Sequence, residues 1–188
     1  MDFKLHDTQP LLRKVLDFMV QVSIVISVAW FIIYSFCYKV VNTGQSMLPL
    51  IGVNDGLLMN RIVYVFSEPE RFDIIAFKTA DGHLNIKRII GLPGETVLIS
   101  EGIVYVNSKP LNAVNVEDEF EEKLDKAALE GVAASPVVLA GDEYFVLGDN
   151  RDSSEDSRFV GIGNVKRKAI IGKLWMRISP FNRIGYLY

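Results

Sequence analysis

Residues 18–38 read FMVQVSIVISVAWFIIYSFCY, a run with no charge, diluted only by Gln21 and three serines. No amphipathic face is visible in it. As a helix it would be about 31 Å long, which matches a hydrocarbon core of about 30 Å, so the pattern predicts a single membrane-spanning helix. Phe18, Tyr34 and Tyr38 place rings near its ends, where interfacial aromatics are expected. Beyond it the pattern changes to short runs of β-branched and aromatic residues between turn signals. Strands are predicted over 57–66, 73–78 and 83–90, over the hairpin 96–99 and 103–106, over 144–147 and over 169–178. Strands at this spacing predict a mainly β fold, an antiparallel sheet or partly closed barrel, following the N-terminal span. Residues 107–141 break the pattern with an inserted acidic lobe, in which 116–130 (VEDEFEEKLDKAALE) favours one surface helix with a solvated charged face.

Charge sets the direction of the span. Lys4, Arg13 and Lys14 precede it and only Lys39 follows closely, so the positive-inside rule puts residues 1–17 in the cytoplasm and 39–188 outside. A cleaved secretory signal competes, but the apolar run is too long and no small-x-small pattern follows. The chain of 188 residues has a formal net charge of -3 with its basic residues scattered singly, which argues against nucleic acid as a partner. Cys37 is the only cysteine, so no intrachain disulfide or cysteine-based metal site can form. His6 and His83 lack metal-ligand spacing.

Three stretches carry candidate chemistry. In Gly44-Gln45-Ser46-Met47-Leu48-Pro49 a serine sits beside a flexible and a rigid residue, just outside the span. A serine hydroxyl needs a base within hydrogen-bond reach to act as a nucleophile. At most about 26 Å of extended chain separates Tyr38 from Ser46, which holds the serine close to the membrane. Lys87 lies in LNIKRIIGLPGE among apolar neighbours, where burial would favour the neutral amine that a general base requires. Strand alternation puts Asn85, Lys87 and Ile89 on one face and Leu84, Ile86 and Arg88 on the other. In isolation an exposed lysine on an edge strand is the better explanation of the position. The third stretch, GDNRDSSEDSRFVG over 148–161, is dense in Asp, Asn and Ser. Asp149 with Arg151 and Asp156 with Arg158, each two apart, invite charge-assisted bonds that would stiffen the loop. A calcium loop is the rival reading, but the EF-hand glycine and terminal glutamate are missing.

SMLP around Ser46, KRIIGLPGE from Lys87 and GDNRDSSEDSRFVG, in this order behind an apolar span, resemble the type I signal peptidases. These are membrane-bound serine endopeptidases that remove signal peptides from exported proteins. The resemblance implies a Ser-Lys dyad, with Ser46 as nucleophile and Lys87 as general base, and no metal or organic cofactor. Ser154 falls where the family carries a serine bonded to the lysine amine. Asp149, Arg151, Asp156 and Arg158 fall on positions that shape the site. The implied partners are signal peptides and the lipid bilayer, at the outer face of the cytoplasmic membrane. An extended substrate would add main-chain bonds along the two flanking segments, which makes Asn42, Gly44, Gln45, His83, Asn85 and Ile86 the candidate substrate-binding residues. Two positions depart from the family pattern: Leu50 stands where a threonine is usual, and Gly44 where some members have a hydroxyl residue serving the oxyanion. Two other readings stay open. One is a specialised peptidase for few substrates; the other is a noncatalytic membrane-tethered assembly factor for a surface structure such as a pilus.

Overall fold

The computed structural model describes residues 9–111 and 129–187. The chain opens with α1 (Gln9–Phe36), whose residues 10–36 have mean hydropathy 2.1 over their most apolar window and no part of that window buried. The helix ends at Phe36, so Tyr38, assigned to the span from sequence, instead opens β1 (Tyr38–Val41) and pairs with Met59. Then come β2 (Gly56–Asn60), α2 (Val63–Phe66), β3 (Ile74–Lys78), β4 (Leu84–Gly91), β5 (Thr96–Ser100), β6 (Ile103–Val106), β7 (Lys109–Pro110), β8 (Val137–Val138), β9 (Glu143–Leu147), β10 (Val165–Lys166), β11 (Ile170–Ser179) and β12 (Gly185–Tyr186). The expected strand over 57–66 is cut short by one side chain. Asn60 Oδ1 accepts the N–H groups of Ile62 and Val63 at 3.1 and 3.0 Å, ending β2 and starting α2.

Every strand pair is antiparallel. The large sheet runs β1-β2-β11-β3-β4-β9-β10, with β12 on β11, and a smaller sheet runs β7-β6-β5-β8. Among the described residues β1 and β10 end the path without pairing, so the barrel is open there. The core divides by face. Ile74, Ala76 and Ile86 pack with Met47, Ile51, Leu57 and Met59 on one side of the large sheet, while Ile75, Phe77, Ile89 and Val146 pack with Tyr64 and Tyr144 on the other. A third cluster joins Val97, Ile99, Val104 and Val106 of the small sheet to Ile90 and Phe145. Of the acidic lobe, β7, a 3-10 turn at Gly131–Ala134 and β8 are described; the helix expected over 116–130 lies outside the described residues except at its last two positions.

Candidate active site

The turn that carries Ser46 is fixed from beneath. Met47 and Ile51, both fully buried, anchor it in the core, and Ile51 N–H donates to Met47 O at 2.7 Å. From above, Asn150 N–H donates to Ser46 O at 2.9 Å and Asn150 Nδ2 to Gln45 O at 3.2 Å. These bonds tie the serine turn to the loop after β9 across more than a hundred positions of sequence. Gly148 makes the approach feasible, since a Cβ there would overlap Ser154 Oγ and the Ser46 carbonyl oxygen.

Lys87 comes from the middle of β4, opposite Ile75 of β3 and one residue before β9 joins, and its side chain is buried where an edge lysine would be exposed. It is 2% exposed, and its Nζ lies 2.8 Å from Ser46 Oγ and 3.5 Å from Asn85 Oδ1. Burial lowers its pKa from 10.5 to about 8, against the opposing pull of Asp156, Glu155 and Asp149. Near neutral pH about one amine in ten is then unprotonated, against about one in three thousand for an ordinary lysine. Ser154 is also buried, but its Oγ has no hydrogen-bond partner, so the bond expected between it and the lysine amine is not made here. The Ser46 N–H has no acceptor among the described residues, which leaves it free to meet an oxyanion. No three His, Cys, Asp or Glu side chains gather as a metal site among the described residues.

The supporting loop is pinned by buried ion pairs, one within the loop and one to β4. Asp156 takes Arg158 Nε at 2.8 Å and Nη2 at 2.9 Å, and it accepts Gly148 N–H at 3.0 Å. Asp149 pairs with Arg88 in β4, at 2.8 and 2.9 Å, both side chains wholly buried. Arg151 is buried, and its carbonyl accepts Arg158 Nη2 at 2.7 Å. Alternation thus sends Lys87 to the serine while its neighbour Arg88 fastens the loop on the other side of the strand.

A serine oxygen against a buried, unusually acidic lysine amine is the arrangement that nucleophilic hydrolysis requires. The family model described as signal peptidase, peptidase S26, matches residues 15–179. The chain belongs to peptidase family S26. It is 40% identical over 153 residues to signal peptidase I of Leptolyngbya laminosa, a match covering 77% of this chain and 70% of that protein. To signal peptidase I of Bacillus caldolyticus it is 35% identical over 150 residues, 77% of this chain and 81% of that one. A crystal structure of a signal peptidase I from Enterococcus faecalis V583 is 36% identical, with TM-score 0.43, covering 57% of this chain and 97% of that one.

The two departures from the S26 pattern have local structural accounts. Leu50 packs its side chain against the cluster under the serine, while its carbonyl accepts Arg177 Nη1 at 2.5 Å and Arg183 Nη2 at 3.3 Å. At Gly44 a Cβ would lie 3.9 Å from Ser46 Oγ and 4.0 Å from its nitrogen, so no side chain is sterically excluded there. The candidate substrate residues divide. Asn42 is buried, with Nδ2 on Gly44 O and Gly52 O at 2.8 Å each and its carbonyl on Asn54 N–H, so it braces the loop instead of facing a ligand. Gly44 donates to Asn42 Oδ1 and Gln45 O is taken by Asn150 and Leu48. His83 O accepts Thr79 N–H, and Ile89 N–H donates to Asp73 O. By alternation along the ladder, Asn85 and Lys87 also turn their backbone groups toward β3, so Leu84 and Ile86 turn theirs the other way. On that side β9 begins only at Arg88, which leaves Leu84 and Ile86 an open edge. Arg88, Gly148 and Asn150, which hold the loop against β4 and the serine turn, lie inside the motifs themselves but are not reactive side chains, so a search for reactive residues does not find them.

Proposed function

We propose that Ser46 and Lys87 are the nucleophile and general base of a membrane-anchored endopeptidase that removes signal peptides from exported preproteins. The observation that carries this is the 2.8 Å approach of a buried lysine amine to the serine hydroxyl. Neutral Lys87 takes the Ser46 proton as Oγ attacks the scissile carbonyl, and the Ser46 N–H meets the developing oxyanion. The lysine then protonates the leaving amine, and in the second half of the reaction it activates the water that hydrolyses the acyl-enzyme. The substrate lies extended along the open edge of β4, bonding to Leu84 and Ile86. A cavity of about 600 Å³ lined by His83, Asn85, Glu155 and Phe159 opens beside it. The N-terminus is cytoplasmic and the catalytic domain extracytoplasmic, in line with the basic residues before the span. Belonging to family S26 and retaining both members of the pair favour catalysis over the assembly-factor reading, since a scaffold has no use for a buried lysine on a serine.

The test is cleavage of a preprotein with an Ala-x-Ala site in detergent. Ser46→Ala and Lys87→Ala are expected to lose processing while keeping the wild-type circular dichroism. Lys87→Arg is expected to fail as well, because a guanidinium does not give up its proton. Full activity in any of the three folded variants would remove the dyad.

A further inference from the structure

The C-terminal end of α1 is joined to the catalytic domain by side chains and backbone from two other elements. A helix leaves its last carbonyls without partners. Here Arg61 N–H donates to Ser35 O at 2.8 Å, and Trp175 Nε1 in β11 donates to Phe36 O at 3.0 Å. Ser35 is 2% exposed although the residues around it on α1 are open. Aromatic stacking continues across the joint. Trp30 and Tyr34, one turn apart on α1, stack with centroids 5.3 Å apart and planes 13° from parallel. The Arg61 guanidinium then lies 4.8 Å from the Tyr34 centroid and 5.0 Å from that of Tyr38. Tyr34 belongs to the helix and Tyr38 to β1, so a single cation following β2 ties both to the body of the domain.

We propose that this joint fixes the height and tilt of Ser46 over the bilayer, making Arg61 and Trp175 positioning residues that decide which peptide bond of a membrane-held substrate is cut. The inference rests on the signal-peptide reading above. There is no slack between helix and nucleophile: β1 is paired to β2 along its length, and the turn that follows is anchored by Asn42 and Met47. An extended substrate advances about 3.3 Å per residue, so a small rocking of the domain on its helix would bring a neighbouring bond to Ser46. A stack of rings and a guanidinium at the end of an apolar helix is also placed where such groups favour the membrane interface.

The experiment uses the full chain in vesicles of phosphatidylethanolamine and phosphatidylglycerol, with a preprotein carrying two Ala-x-Ala sites in tandem a few residues apart. A soluble peptide with one such site reads the chemistry alone. Arg61→Ala with Trp175→Phe removes the stacked cation and the indole donor while keeping the Arg61 backbone bond. This double variant is expected to cut the peptide as wild type does but to lose about tenfold of its preference between the tandem sites, the effect of removing contacts of this class. Unchanged site preference overturns the proposal. Arg61→Lys, which keeps the charge without the flat guanidinium, is expected to fall between the two, and wild-type preference in it overturns the role of the stack. A spin-label distance between Val20→Cys and Val138→Cys, in a Cys37→Ser background, needs no catalysis. It is expected to be narrow in the parent and broad in the double variant. If the parent cuts no peptide, the dyad reading fails while this distance still judges the joint, and an equally narrow distance in both overturns it.

Discussion

Lys87 shows how one residue's surroundings set its chemistry. Its pKa falls from 10.5 to about 8 because burial penalises the ammonium, and Asp156, Glu155 and Asp149 only partly offset that penalty. As the proposed general base Lys87 acts in its neutral form, so kcat/KM is expected to rise with pH along an acidic limb near pH 8 and then level off. Stability has the same direction. Between pH about 8 and 10.5 the unfolded chain holds a proton that the folded lysine has released, so stability rises with pH across that window, and the full cost is present below it. Glu155→Gln removes an exposed carboxylate that favours the ammonium, and is expected to move the limb to lower pH. A pH profile of peptide cleavage checks this; a limb that stays put or climbs would mean the carboxylate does not act on the amine. Lys87 was legible as a candidate from its apolar neighbours, but an exposed edge lysine fitted the same letters. Its burial against Ser46 decides between them.

At the scale of the element, β4 serves two masters through alternation: Lys87 on one face reaches Ser46, and Arg88 on the other holds Asp149. Both partners of that pair are wholly buried, so removing either takes a close partner from a buried charge. Asp149→Ala or Arg88→Ala is expected to cost about 3 to 5 kcal/mol, whereas replacing both with apolar residues of similar volume costs far less. Urea unfolding of the two single variants and the double variant measures the difference, and equal losses in all three would show that the pair is not what stabilises the loop. Sequence patterning located most strands because the core needs apolar side chains at a period of two. It failed at residues 61–66, where the β-branched run promised a strand and the Asn60 side chain capped the backbone into a helical turn. The pairing of Asp149 with Arg88 was likewise out of reach, since the two residues stand 61 positions apart.

For the whole molecule, α1 as the proposed membrane anchor would concentrate the enzyme where a signal peptide's apolar segment resides. Removing residues 1–36 is expected to leave peptide cleavage in detergent largely intact while slowing the processing of vesicle-embedded preprotein by roughly a hundredfold or more. Equal processing of the embedded preprotein by both forms would remove that role for the helix. Sequence by itself determined the long apolar helix, the mainly β class and Ser46 and Lys87 as the candidate pair, because hydrophobic length, strand periodicity and reactive residue types are local properties of the chain. Only the tertiary structure decided that the amine reaches the hydroxyl, that Asn42 is a brace, that Leu84 and Ile86 face the open edge and that Arg61 clamps the helix. Those facts depend on register and on contacts between distant segments, which sheet pairing and core packing settle together, so no short window of sequence contains them.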